Sequence, residues 1–206
     1  CAMMLPSQRR HIVTTISVLD AIHSQRAIRE FSDQPVSDES IEQLIQAAIR
    51  APSASNKQPW HFLVIRDAET KRQIGLWYMD SVYSYQGLER PAGGITEPHP
   101  IMSAPVVIFA CLDAADAADL LTLGASIFPA AQNLMLAARS IGLGTTLTTL
   151  HRPHQADIRE LLGIPATMET AAMIPVGYPG GDQHFGGSRR RSFLEFTYYE
   201  RRGATR

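Results

Sequence analysis

Cysteine is scarce in this chain, and the scarcity excludes two kinds of protein. Cys1 and Cys111 are the only thiols in 206 residues, too few for a disulfide framework. Cys111 ends the apolar run Ala104 to Cys111, where a buried, inert thiol is expected. With seven scattered histidines and no further cysteine, no metal-ligand spacing emerges. Long hydrophobic runs are lacking as well: no stretch approaches the ~18 apolar residues of a membrane span. Cys1 to Leu5 do not show the basic-then-apolar order of a secretory leader. A net charge of -1 gives no global pull toward nucleic acid or an anionic membrane. No Gly-x-Gly-x-x-Gly follows a strand and opens a helix, and no Ser/His/Asp or Cys/His set suggests nucleophilic catalysis. A cytoplasmic enzyme without nucleic-acid, membrane or metal partners is the expectation.

What is present reads as one ordinary core, with 45% hydrophobic and 19% charged residues. Residues 1–13 look like a loose lead-in, followed by a single domain over 14–206. Ile16, Leu19, Ala21 and Ile22 suggest a short helix. Ser37 is an N-cap with Asp38 and Glu39 in the first turn, where the helix dipole favours acids. Ile41, Leu44, Ile45, Ala48 and Ile49 then keep the helical period until Pro52 stops it. Phe62 to Ile65 is strand-like, and Asp67 opens another helix through Ile74 and Trp77. From Tyr78 to Pro100, three tyrosines with glycines and prolines predict a loop-rich, lid-like excursion, with a plain surface insertion as the alternative. Val106 to Cys111 is a strand, about 119–141 a buried central helix in which Pro129 predicts a kink or a start just before it, and Thr145 to Leu150 a strand. A short helix over His154 to Leu162 and a strand over Met168 to Gly177 complete the pattern. Phe193 to Phe196 could add a strand within a C-terminal arm at about 186–206. Helices and strands do not alternate strictly, so the fold class is α+β.

Three segments carry chemistry. In Ser24 to Phe31, Arg26 and Arg29 are spaced to flank an anion, and the planar guanidinium suits phosphate; a solvated surface pair is the plain alternative. In Ala51 to Phe62, two prolines, small hydroxyl residues and the amides of Asn56 and Gln58 make a rigid, donor-rich turn. Such amides match the alternating edge of a pyrimidine-like ring, although an Asn-stabilised turn after a Pro-ended helix has the same sequence. In Gly142 to His151, two glycines let backbone approach a ligand, while a buried threonine-rich strand would look alike.

In their order along the chain, these segments, with Ala131-Gln132-Asn133-Leu134 and Pro175-Val176-Gly177-Tyr178-Pro179 before an arginine cluster, resemble the FMN-dependent nitroreductase-like family over roughly residues 17 to 203. The resemblance implies a central, mostly antiparallel sheet flanked by helices, with the C-terminal arm exchanged in a homodimer and FMN contacted by both subunits. It places Arg26, Arg29 and Arg190 at the FMN phosphate and ribityl end, Ser53 and Asn56 against the isoalloxazine, and a backbone N–H of Leu147, Thr148 or Thr149 at flavin N5. Gln25 and Ala27 stand where the family usually has Arg and Ser, which removes phosphate donors. The implied reaction is ping-pong hydride transfer from NADH or NADPH through the flavin to a flat nitroaromatic or quinone-like acceptor walled by the tyrosine-rich excursion. Reductive dehalogenation, flavin fragmentation and non-catalytic flavin storage are the alternatives. The acid-tyrosine-lysine set of the family's deiodinases is missing between Asp67 and Pro100, where Lys71 is the only lysine.

Overall fold

The computed structural model describes residues 16–114 and 120–204; the expected lead-in and Arg206 lie outside them. Four strands form one antiparallel sheet in the order β1-β2-β4-β3: β1 (Trp60–Ile65), β2 (Val106–Asp113), β3 (Gly144–Thr145) and β4 (Met168–Gly177). Strand β2 is central and buried on both faces, so its alternate side chains seed two apolar layers. Val106, Ile108, Ala110 and Leu112 face one layer. Val107, Phe109 and Cys111 face the other. The Cys111 thiol is buried and its pKa is pushed up to about 12 by that burial, in keeping with an inert role.

The first layer is built from α2 (Asp38–Ala48) and α4 (Leu120–Ser140). The Ser37 side chain accepts from Ser40 N at 3.1 Å and caps α2, whose Ile41, Leu44 and Ala48 are buried at helical spacing. Helix α4 continues through Pro129; the proline removes one backbone donor without ending the helix. Leu121–Ser140 has a mean hydropathy of 1.3 and length enough to cross a membrane. In the fold, however, Ala130, Ala131, Leu134 and Ala138 are sealed against α2 and the sheet. Truncating Leu134 to Ala would cost about 2–5 kcal/mol, as for other buried leucines.

The second layer holds α3 (Ala68–Gln86), α5 (Gln155–Leu162) and the chain from Ile28 to Phe31. The Asp67 side chain accepts from Thr70 N at 2.7 Å and starts α3. The helix ends only at Gly87, whose φ of 65° is a left-handed C-cap. Residues 78–86 are therefore helical, and the irregular excursion begins later than the tyrosines suggested. Ile74, Tyr78 and Ser81 are buried along one face of the helix. The excursion is tied to this helix at both ends. Arg90 donates to the Asp80 carboxylate and the Ser84 hydroxyl, and His99 N donates to Gly75 O at 3.1 Å.

Two other expected strands differ. Of the 145–150 stretch only Thr145 joins the sheet, together with Gly144 before it; the chain then leaves the ladder and touches it again at Thr148 opposite Met173. Gly144 is required by a close approach, since a Cβ there would lie 2.7 Å from the Ile28 side chain. Phe193–Glu195 is a 3-10 turn instead of a strand, with Ser192 capping it. Arg191 bonds Glu195 and lies over the Phe196 ring, which satisfies this stretch locally without a sheet partner.

Candidate functional site

Helix α1 (Val18–Ser24) ends at Gln25, and the chain then runs extended beside the β3 edge. Ala27 bridges Thr145 in parallel, and Ile28 N donates to Thr145 O at 3.0 Å. This pairing fixes Gln25, Arg26, Ala27 and Arg29 along the rim of a cavity of about 380 Å³. Thr146 and Leu147 form its wall where the chain has left the ladder, Met135 of α4 is another wall, and Ser188 and Arg190 arrive from the tail. Met135, Thr146 and Ser188 were not picked from the sequence. The glycines flanking Leu143 hinted at Thr146, but only the course of α4 and the tail brings the other two.

Three arginines line this cavity and, among the described residues, no acidic residue does. Like charges gathered in this way repel, and an anion relieves the repulsion. Arg26 is partly engaged: it donates to His184 Nε2 and to Gly186 O, both at 3.4 Å. Since arginine can only donate, His184 accepts at Nε2 and carries its proton on Nδ1, beside Asp182 O at 3.2 Å. Arg190 donates to Arg189 O. The Arg29 side chain has no hydrogen-bond or ion-pair partner among the described residues, and its backbone N–H is held by Gln183 Oε1 at 3.3 Å.

Not every backbone donor of the 147–149 segment is available. Thr148 N donates to Met173 O at 3.0 Å, and Thr148 O accepts from Met173 N, so the Thr148 N–H cannot serve a ligand while that bridge stands. The N–H groups of Leu147 and Thr149 have no partner among the described residues, and of the two only Leu147 lines the cavity. Leu147 is the donor the geometry leaves.

Ser53 and Asn56 lie elsewhere. Their turn lines a separate concavity of about 610 Å³ through Ala54, Ser55, Lys57 and Gln58, together with His61, Asp113, Thr122 and Ser126. Three non-glycine residues of this turn have positive φ: Ser55 at 50°, Asn56 at 54° and Gln58 at 52°. Such backbone strain persists only where surroundings enforce it. Gln58 N donates to Ser53 Oγ at 3.1 Å, and Ala54 N donates to Ser126 Oγ of α4 at 3.4 Å. The turn is rigid, as its sequence suggested, and the Asn56 side-chain amide has no partner among the described residues. From Ser126 to Met135, α4 rises by roughly 13 Å at 1.5 Å per residue, which separates the turn from the arginine-lined cavity within one chain. No residue of the 78–100 stretch lines either cavity.

An antiparallel sheet between two helical layers, with three arginines around a pocket at its β3 edge, defines an α+β architecture. The chain belongs to the Nitroreductase family, whose profile matches residues 22–178. It is 32% identical to an Archaeoglobus fulgidus protein named "Putative NADH dehydrogenase/NAD(P)H nitroreductase", over 81% of this chain and 88% of that one. Among solved structures, it is similar to a Desulfovibrio desulfuricans protein described as "a putative nitroreductase in complex with fmn", with a TM-score of 0.71, 30% identity and coverage of 89% and 96%. Nitroreductase A from Vibrio parahaemolyticus shares the fold at a TM-score of 0.74 and 24% identity, over 92% of this chain and 77% of that one.

Proposed function

We propose that this chain is an FMN-dependent NAD(P)H oxidoreductase that works as a homodimer and reduces flat nitroaromatic or quinone-like acceptors. The observation that carries the reading is the pocket in which Arg26, Arg29 and Arg190 converge beside the Leu147 N–H, with neither a lining carboxylate nor a partner for that N–H among the described residues. The donor set fits FMN. Arg26, Arg29 and Arg190 would hold the phosphate with Ser188 beside them, and the Leu147 N–H would meet the flavin ring. Gln25 keeps one amide donor where the family usually has arginine, while Ala27 offers none, so the tail arginine takes a larger share of the phosphate. FMN held there would supply the hydride-transfer chemistry between NADH or NADPH and the acceptor. The protein's own part is to bind, orient and place positive charge and N–H donors where negative charge develops.

Ser53 and Asn56 would complete the site from the second subunit, because α4 keeps them apart from the arginines of their own chain. A deiodinase reading finds no support in the lysine: Lys71 donates to Ala104 O at 2.8 Å and to Pro105 O, which occupies it at the end of β2. The test is spectroscopic. Purified protein should bind FMN stoichiometrically, bleach on adding NADH or NADPH, and recover its colour with a quinone or nitroaromatic. Protein that takes up no FMN would sink the reading, and bound FMN that no nicotinamide bleaches would make the chain a flavin-binding protein without turnover.

A further inference from the structure

Between Thr145, fixed in the sheet, and Thr148, fixed opposite Met173, only Thr146 and Leu147 stand free of the ladder, and both line the arginine pocket. The position of the Leu147 N–H is thus set by its two anchors. The Thr145 anchor is a paired backbone strand. The Thr148 anchor is a single bridge, and single bridges are weak. A side-chain bond reinforces it. The Tyr78 hydroxyl, reaching across from α3, lies 2.9 Å from Thr148 Oγ1, and the same Oγ1 accepts from Leu150 N at 3.3 Å. Tyr78 is only 5% exposed, so its hydroxyl is removed from water and a lost partner there is costly. His99 packs edge-on against the Tyr78 ring, with centroids 4.9 Å apart. Its Nδ1 accepts from Ile101 N at 3.2 Å, which fixes the ring that roofs the tyrosine. Burial, and then the nearby Arg29 charge, hold the His99 pKa below its ordinary value, so no new charge appears beside Tyr78 near neutral pH.

From this arrangement we infer that Tyr78 is a positioning residue: through Thr148 it holds the Leu147 N–H at the angle the bound flavin needs. The inference rests on the FMN reading above. Tyr78 belongs to a helix with no residue lining the pocket, so neither the arginine segment nor the glycine-threonine segment reveals it.

The experiment compares FMN affinity, the visible flavin spectrum and the melting temperature of FMN-free protein for the parent chain, Tyr78→Phe, Thr148→Val, the double variant and Thr148→Ser. Tyr78→Phe and Thr148→Val should each weaken FMN binding by roughly 2- to 13-fold, the range for loss of one neutral hydrogen bond. Both should shift the flavin absorption bands in the same sense. The double variant should lose no more than Thr148→Val alone, since that substitution already removes the Tyr78 bond together with the Leu150 N–H contact to the same oxygen. Thr148→Ser, which keeps the hydroxyl, should bind FMN within twofold of the parent. Parent-like affinity and spectrum in both Tyr78→Phe and Thr148→Val would overturn the inference, as would additive losses in the double variant. A fall in melting temperature without any spectral change would make Tyr78 a packing residue and overturn it too. A parent chain that binds no FMN refutes the FMN reading itself, an outcome distinct from all of these.

Discussion

At the scale of single residues, chemistry was legible where side-chain type decides it and illegible where long-range pairing does. Arg26 and Arg29 could be read as an anion grip because their spacing and planar forks are local facts, and the fold places both on one rim. Thr148 could not be sorted from Leu147, because what disqualifies its N–H is Met173, 25 residues on in the chain and adjacent only through the sheet. Replacing Arg29 with Ala should weaken FMN binding by about 1.5–3 kcal/mol, the loss of a charge-assisted bond, and Arg190→Ala should act in the same direction; equal affinity in both variants by fluorescence titration would remove the arginines from the site. His151 supports a second prediction. It is fully buried with Nε2 2.9 Å from Thr170 O, and burial above all lowers its pKa from the ordinary 6.5 to about 4. The folded chain keeps it neutral while the unfolded chain takes up a proton below 6.5. The stability it confers is therefore complete above that pH and falls as pH drops toward about 4, by on the order of 3 kcal/mol. Urea unfolding at pH 7.5 and pH 4.5 should show a smaller difference in His151→Gln than in the parent. An unchanged difference would mean that other groups carry the acid sensitivity.

At the scale of elements, capped helices and the buried β2 and β4 strands followed from composition, while edge structure did not. Ser37 and Asp67 announce α2 and α3 through side-chain caps, which are local. The end of α3 was misplaced because Tyr78, Tyr83 and Tyr85 read as non-helical, although burial of Ile74, Tyr78 and Ser81 on one face keeps the helix going to its Gly87 cap. The threonines after Gly144 have strand propensity, yet a strand needs a neighbour, and β4 offers continuous pairing only to Gly144 and Thr145. That short edge depends on the packing of Gly144 against Ile28. Gly144→Ala should destabilise the protein by about 1–3 kcal/mol through overpacking and weaken FMN binding by shifting the Ala27–Thr145 bridge. Adding Ile28→Ala should recover part of the FMN affinity lost in Gly144→Ala, because it removes Cγ1 and Cγ2, two of the three Ile28 atoms that crowd a Cβ at position 144. A double variant with simply additive losses, read by chemical denaturation and FMN titration, would show that the contact does not set the edge.

At the scale of the whole molecule, the single chain keeps the arginine pocket and the strained turn as separate concavities and leaves apolar surface uncovered. The arginine pocket and the strained turn sit along opposite stretches of α4. Near them Leu121 is 85% exposed, and on the tail Phe193 and Phe196 are 67% and 61% exposed. Exposed large apolar groups on separate elements are what a partner subunit covers, and a two-fold dimer applies the same contact twice. Such a dimer would bring the turn of one chain to the arginine pocket of the other. The consequence can be tested by subunit complementation. Arg29→Ala and Asn56→Ala homodimers should each bind FMN weakly at both sites. A mixed dimer, formed by co-expression with two tags, contains one site that lacks both groups and one that has both, since intact Arg29 and intact Asn56 then meet across the interface. It should regain one tight FMN site per dimer. If each site were built within a single chain, every site of the mixed dimer would lack one group, and titration would find no tight site.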